Sequence, residues 1–332
     1  MSRLVVALGG NAMIRRGEAG STEVQRHNLL AAARALGELI RQGHELVLSH
    51  GNGPQVGFLA IEAEAARDTV PMPPLDVLVA ESQGQIGYLL AQALEAELAG
   101  AGDHRPIAVI LTQVVVDPAD PAFLIPTKPV GPVYDSLTAE GLARDHGWSI
   151  APDGPGWRRV VASPKPLEIV EGLSIKTLVN AGVIVIASGG GGIPVQRLGS
   201  GVLVGVEAVI DKDLAAVVLA EAVGADALLL LTDVDAAYRG WGTPHQSPIR
   251  RLTARAAASG VWDGTFAGGS MGPKISAASD FVRRTGGFAA IGALDQAVDV
   301  LTGLAGTRIE ADPPAARAMA AAGSRSTVSA GR

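Results

Sequence analysis

Residues 4–13 read LVVALGGNAM, an apolar run that stops at Gly9-Gly10-Asn11. Leu4, Val5, Val6, Ala7 and Leu8 suit a strand buried on both faces. The two glycines that follow remove side chains, so backbone N–H groups can approach an anion. The stretch predicts a strand running into a phosphate-loop turn, the unit from which α/β sheets are built. No lysine lies inside this turn, and the pattern GxxxxGK[ST] occurs nowhere in the chain. A phosphate held here needs its positive charge from another part of the sequence.

The same grammar recurs. Residues 45–49, ELVLS, form a second predicted strand that meets His50-Gly51-Asn52-Gly53-Pro54. In an open parallel sheet both turns lie at the carboxyl edge, where ligands bind. Between them, Thr22 with Gln25 three places on reads as a capping box. The helix that follows places Leu29, Ala33, Leu36 and Ile40 on one stripe and stops at Gly43. A long helix is expected over 74–98, with Gly84 and Gly87 inside it. Each costs about 1 kcal/mol relative to alanine, so close packing is their expected reason. Further strands are predicted at 107–113, 183–187, 202–210, 227–231, 288–291 and 307–309, and helices at 166–182, after Asp211-Lys212-Asp213, and from Ser270 to about 284.

Residues 117–166 interrupt this alternation. Prolines at 118, 121, 126, 129, 132, 152, 155, 164 and 166 fit neither a helix nor a parallel strand. A stretch this long is expected to be an inserted subdomain or lid. The organisation expected is an N-terminal lobe over 1–222 that includes this insert, a C-terminal lobe over 223–312, and a disordered tail over 313–332. No function attaches to the tail.

Composition agrees with an α/β class: 48% of residues are hydrophobic and only 4% aromatic, so the core is aliphatic. The net charge of −6 argues against nucleic-acid binding, which relies on clustered lysines and arginines. With no cysteine, disulfides, thiolate metal sites and cysteine nucleophiles are excluded. The N-terminal apolar run is too short for a signal peptide, and no uncharged stretch reaches the roughly 18 residues needed to span a bilayer. The expected location is the cytoplasm, with no membrane partner.

Two lysines carry chemistry by position. Lys212 and Lys274 each fall in the first turn of a predicted helix, at the positive end of its dipole, where a cation is unfavourable by several tenths of a kcal/mol. Two such placements point to an anion between the helix ends. Asp211 and Asp213 flank Lys212 and fit helix capping, lysine orientation or magnesium binding, directly or through water. Asp233 and Asp235 follow a buried strand, as turn residues or as groups facing a nucleotide. His50 reads as a structural histidine ahead of a catalytic base, and Lys128 as a surface lysine of the insert. A dinucleotide-binding reading fails, because GxGxxG is absent and Ser49-His50 stand where a ribose-binding acid belongs.

Taken together, VALGGNA at 6–12, SHGNGPQVG at 49–57, ESQGQIGY at 81–88, LTQVVVDPADPAF at 111–123 and PTKPVGPVY at 126–134 resemble the carbamate kinases of the amino acid kinase family. ASGGGGIPV at 187–195, GVEAVIDKDLAA at 205–216, LTDVDAAY at 231–238 and GSMGPK at 269–274 extend the resemblance. It implies an open three-layer α/β/α sandwich with a mainly parallel central sheet and a small protruding subdomain, matched by 117–166. It also implies phosphoryl transfer between ATP and carbamate, giving ADP and carbamoyl phosphate, run toward ATP in arginine or related carbamoyl-phosphate catabolism. By the same resemblance Lys128, Lys212 and Lys274 bind phosphate, Asp211 and Asp213 organise them, and Gly9, Gly10, Asn11, Gly51, Asn52 and Gly53 cradle the transferred group. Asp233, Tyr238, Met271, Gly272 and Lys274 line the nucleotide. The resemblance further implies Mg2+ carried with ATP or ADP rather than on a direct protein ligand, Asp211 being the nearest candidate, and a homodimer. The alternatives are another acyl-phosphate-forming amino acid kinase and a non-catalytic nucleotide sensor.

Overall fold

The computed structural model describes residues 1–15, 18, 20–259 and 271–313. The chain opens with β1 (Arg3–Leu8), α1 (Thr22–Arg41), β2 (Glu45–His50), α2 (Gly53–Ala66), α3 (Leu75–Gly100), β3 (Ile107–Val109) and β4 (Gln113–Val116). A protruding unit follows, made of β5 (Lys128–Tyr134), α4 (Ser136–His146), β6 (Ser149–Asp153) and β7 (Gly156–Val161). The chain returns through β8 (Pro166–Ile169), α5 (Gly172–Asn180), β9 (Ile184–Ile186), β10 (Ile193–Arg197), β11 (Leu203–Gly205) and α6 (Lys212–Val223). The last third supplies β12 (Ala227–Thr232), the hairpin of β13 (Ala237–Arg239) and β14 (Ser247–Ile249), then β15 (Arg251–Thr253) and α7 (Ala254–Ala258). It closes with α8 (Met271–Thr285), β16 (Phe288–Ala293), α9 (Ala297–Thr302) and β17 (Thr307–Glu310).

Eight strands form one sheet in the order β15-β17-β16-β12-β1-β2-β9-β3. All neighbours are parallel except β16 and β17. The opening stretch holds its centre, because β1 pairs with β2 on one side and β12 on the other. Its burial explains its composition. Leu4, Val6 and Leu8 pack under α1, α3 and α9, while Val5 and Ala7 pack under α5, α6 and α8, and all five are fully buried. A strand covered on both faces has no use for alternating polarity. The architecture is a three-layer α/β sandwich with a mainly parallel sheet, as expected. The sheet runs unbroken past residue 222, which falls in the last turn of α6.

Several elements differ from the sequence reading. The insert is not irregular: β5, β7 and β6 form an antiparallel sheet with β7 in the middle. Pro129, Pro132 and Pro152 sit in the two outer strands, where a missing N–H costs no ladder bond, and central β7 has no proline. The expected helix over 166–182 starts late. Pro166 opens β8, which pairs with β4 at the edge of a second sheet, and α5 begins only at Gly172. Glu171 fixes that start by accepting from the Gln113 backbone N–H at 2.8 Å and from Gln113 Nε2 at 3.0 Å. The strand over 107–113 is two short ones, β3 and β4, which belong to different sheets. Extended structure over 202–210 is confined to β11.

The cap of α1 is Ser21, whose hydroxyl accepts from Val24 N at 3.3 Å, one residue before the expected Thr22. Gln25 instead turns inward and is buried, donating to Gly20 O at 3.1 Å and accepting from Gln55 Nε2 at 2.9 Å. Of the two glycines in α3, close packing accounts for Gly87 alone: a Cβ there would lie 2.4 Å from Val109 Cγ1, whereas Gly84 faces open space. Helix α2 has little amphipathic pattern and was not expected. The start of the helix predicted from Ser270 and the tail over 314–332 lie outside the described residues. Among the described residues no helix is long and apolar enough to cross a membrane.

Candidate active site

The sheet order brings the carboxyl ends of β2, β1 and β12 side by side, the crevice where open α/β sheets bind ligands. A cavity of about 310 Å3 lies there. Gly9 and Gly10 from the first turn, Gly51, Asn52 and Gly53 from the second, and Thr232 and Asp233 from the end of β12 line it. Lys128, Asp211, Lys212, Asp213 and Lys274 complete it.

The two turns divide their backbone donors. Gly9 N–H donates to Leu231 O at 2.8 Å and Gly51 N–H to Leu8 O at 3.1 Å, so both are spent in holding β12, β1 and β2 together. The N–H groups of Gly10, Asn52 and Gly53 have no protein acceptor among the described residues. Three such donors at the edge of one cavity form an anion-binding concavity. Gly51 is also closely packed, since a Cβ would lie 3.3 Å from Gly10 N and 3.4 Å from Lys212 Cδ. The Asn11 side chain lies outside what is described.

The charges come from three elements. Asp211 caps α6, its Oδ1 accepting from Asp213 N at 2.9 Å, while its Oδ2 accepts from Lys128 Nζ at 2.8 Å. Lys128 is the first residue of β5, so the protruding unit delivers it. Asp213 is a shared counter-ion: Oδ1 accepts from Lys212 Nζ, and Oδ2 from Lys274 Nζ at 2.8 Å. Asp213 and Lys274 are both 4% exposed. Within the cluster three cations meet two carboxylates, and Asp233 adds a third carboxylate to the cavity lining; Coulomb forces are strongest at its buried end, around Asp213 and Lys274.

Electrostatics follow the geometry. Burial alone would raise the Asp213 carboxyl, but Lys212 and Lys274 outweigh it and bring it from 3.8 down to about 2. Burial also opposes ionisation of Asp211, and Lys128 reverses that, holding it below its ordinary value. Burial, and then the charge of Lys274, pull Lys212 down against the attraction of Asp213.

His50 is buried, and its Nδ1 is 3.0 Å from Gly51 O, which selects the neutral tautomer that donates there. A Cβ on Gly189 would lie 2.4 Å from its Cε1, so the ring is enclosed. Burial, helped by the Lys212 charge, lowers it from 6.5 to about 4. The sequence reading of a structural histidine holds. An unfolded chain gains this proton near pH 6.5 and the folded one only near 4, so this group's stability is full above 6.5 and lost as pH falls toward 4. Urea unfolding of a His50→Asn variant from pH 7 to 4 is expected to show a slope shallower by up to about 1.4 kcal/mol per pH unit than wild type.

Gly190, which also lines the cavity, was given no role by the sequence reading. The signal was present as the run of four glycines after β9, the same strand-to-glycine grammar as the first two turns. Before it, Ser188 adopts a left-handed φ of 53°, which costs a side chain about 1–2 kcal/mol. The conformation is clamped by Ser49 Oγ donating to Ser188 O at 3.0 Å and by Ser188 N donating to Thr112 Oγ1 at 2.8 Å. Of the residues expected at a nucleotide, Asp233 and Lys274 line the cavity and Tyr238, Met271 and Gly272 do not. Tyr238 hydrogen-bonds Asp235 at 2.7 Å and lies against Trp241.

The amino acid kinase family model matches residues 2–291. The chain belongs to the amino acid kinase family. Within this family, the carbamate kinase of Pyrococcus furiosus is 49% identical over 310 residues, covering 92% of this chain and 98% of that protein. That of Escherichia coli K12 is 49% identical over 309 residues, covering 93% and 99%. Among solved structures, carbamate kinase from Giardia lamblia bound to AMP-PNP superimposes with a TM-score of 0.87 at 43% identity, covering 94% of this amino acid kinase and 99% of that chain.

Proposed function

We propose that this protein is a carbamate kinase, which moves a phosphoryl group reversibly between carbamoyl phosphate and ADP. The observation that carries the reading is the cluster of Lys128, Lys212 and Lys274 on two aspartates, sharing one cavity with the N–H groups of Gly10, Asn52 and Gly53. The curated relatives at 49% identity over nearly the whole chain supply the substrate, and the Giardia relative's AMP-PNP complex supports a nucleotide.

The chemistry needs charge and position more than proton transfer. A β-phosphate oxygen of ADP attacks the phosphorus of carbamoyl phosphate, the bond from phosphorus to the carbamate oxygen breaks, and carbamate leaves with its electron pair as an anion. No proton moves, so no general base is required, in keeping with a buried neutral His50. The difficulty is bringing a polyanion to a phosphoryl group, and lysines aimed at the transferred oxygens meet it. Lys212 and Lys274 are proposed to hold the phosphoryl oxygens with the N–H groups of Gly10, Asn11, Asn52 and Gly53. Gly9 and Gly51 shape the cradle rather than donate. Lys128 closes it from the protruding unit, and Asp211 and Asp213 orient the lysines.

Asp211 and Asp213 have all four carboxylate oxygens engaged by lysines or by the α6 cap. Among the described residues no three or more acidic or histidine side chains cluster so as to hold a metal. That donor set fits Mg2+ carried on the nucleotide phosphates, where it neutralises charge, better than a dedicated protein cage. We assign carbamate and the phosphoryl group to the lobe over 1–222 and the nucleotide to 223–312, with Asp233, Tyr238, Met271 and Gly272 on its path and 117–166 as a lid. A homodimer is proposed as well: edge strand β3 leaves Val109, Leu111 and, on α3, Tyr88 exposed as a surface a second copy would cover. The cytoplasm is the proposed location. ATP formation from carbamoyl phosphate and ADP tests the function directly.

A further inference from the structure

Asn52 lines the cavity yet does none of the work an asparagine at its position ordinarily does. It is the N-cap of α2, where its side chain would accept from the first-turn N–H groups, and it makes no such bond. Instead the carboxamide turns toward α3, and Nδ2 lies 2.8 Å from Ser82 Oγ. Both residues are buried, Asn52 at 3% exposure and Ser82 at 0%.

A proton inventory fixes which way round this carboxamide sits. A serine hydroxyl has one proton, and Ser82 gives it to Val79 O at 2.7 Å. Toward Asn52 it offers only a lone pair, so the asparagine NH2 must face Ser82 and Oδ1 must face away. Among the described side chains Oδ1 has no donor. The third glycine turn packs against the carboxamide: a Cβ on Gly190 would lie 2.2 Å from Nδ2 and 2.7 Å from Oδ1, so any larger residue would push it out. The neighbouring Gln83 anchors this turn of α3, accepting from Thr112 N at 2.9 Å and donating to Thr112 O at 3.2 Å. The carboxamide is thus held by Ser82 and by the third glycine turn, in a residue that lines the cavity and whose oxygen meets no donor among the described side chains.

We infer that Ser82 is a positioning residue that orients Asn52 so that Oδ1 accepts a hydrogen bond from the substrate's amino group, distinguishing carbamate from carboxylates that lack an N–H. The inference rests on the carbamate kinase reading. A polar site left unpaired by the wrong substrate rejects it more strongly than a missing contact would, because a desolvated acceptor is then stranded. Acetyl phosphate, with a methyl where carbamoyl phosphate has NH2, is the matching probe.

The test compares wild type, Ser82→Ala and Ser82→Thr in ATP formation from carbamoyl phosphate and ADP, with acetyl phosphate as competing inhibitor. Ser82→Ala frees the carboxamide to rotate, so kcat/KM for carbamoyl phosphate is expected to fall about tenfold or more. The inhibition constant of acetyl phosphate, the KM for ADP and the melting temperature are expected to stay close to wild type. Ser82→Thr, which keeps the hydroxyl, is expected to recover most of the loss. The inference is overturned if Ser82→Ala matches wild type with carbamoyl phosphate, if the loss is shared with ADP or acetyl phosphate, or if threonine does no better than alanine. A wild-type protein that makes no ATP from carbamoyl phosphate removes the underlying reading as well, so the two failures are distinguishable.

Discussion

Replacing Lys212 or Lys274 with alanine is expected to lower kcat at least about a hundredfold, the scale on which a single preorganised contact to transition-state charge is lost. Each lysine belongs to a helix whose N-terminus faces the crevice, and each is held by one oxygen of Asp213, so neither depends on the other for its place. The expected signature is a fall in kcat with a smaller change in the KM for ADP, since the charge they meet is greatest on the phosphoryl group in flight. The fold should survive, because removing one cation leaves Asp213 paired with the other. Steady-state kinetics beside circular dichroism check both halves, and near-wild-type turnover in both variants would remove these lysines from the site.

Asp213→Ala has the largest expected effect on stability. It strips Lys212 and Lys274 of their common counter-ion while their side chains remain 14% and 5% exposed. Stranding buried charge in this way costs about 3–5 kcal/mol, most of it the penalty of uncompensated cations. By contrast Glu168→Ala, which breaks the exposed pair with Arg197, is expected to change stability by less than about 1 kcal/mol. Urea denaturation of the two variants side by side measures the difference. Inorganic phosphate should recover part of the Asp213→Ala loss, since an anion that binds the folded lysines stabilises by mass action. Equal effects of the two substitutions would show that the cluster is not electrostatically coupled. The pH dependence has a definite sign: the Asp213 carboxylate is lowered on folding, so its contribution is full above its ordinary 3.8 and is lost as pH falls toward about 2.

The centre of the fold was legible because its residues face one dominant constraint. Leu4, Val5, Val6, Ala7 and Leu8 are buried on both faces, and no other reading of so apolar a run before two glycines was competitive. Asp211 and Lys212 were legible for the same reason, an aspartate cap followed by a cation where the helix dipole disfavours one. The protruding unit was not, because proline in an edge strand looks in sequence like proline in a loop, and only pairing with β7 distinguishes them. Residues 166–182 misread as one helix because Pro166, Glu168 and Ile169 gain their strand character from pairing with β4, about fifty residues away along the chain.

Within the site, charge was easier to find than shape. Lys212, Lys274 and the two aspartates stood out by type and position and Lys128 only through the family resemblance, whereas the exhaustion of the Gly9 and Gly51 N–H groups by Leu231 and Leu8 depends on strand order and register. Ser82 lay inside the ESQGQIGY stretch that carries the family resemblance, but nothing in that stretch marked its role, which depends on where Asn52 turns. Gly190 lay inside a conspicuous glycine run, but its neighbour Asn52 belongs to a turn far away in sequence, brought there by the pairing of β2 with β9.

The most direct measurement of the central claim is ATP formation by the purified protein supplied with carbamoyl phosphate, ADP and Mg2+. Acetylglutamyl phosphate and aspartyl phosphate serve as parallel phosphoryl donors. ATP formed from carbamoyl phosphate, and lost in the Lys212→Ala and Lys274→Ala variants, is the result expected of a carbamate kinase whose cluster carries the transfer. Nucleotide binding without ATP formation, or formation from one of the amino acid acyl phosphates instead, would contradict it.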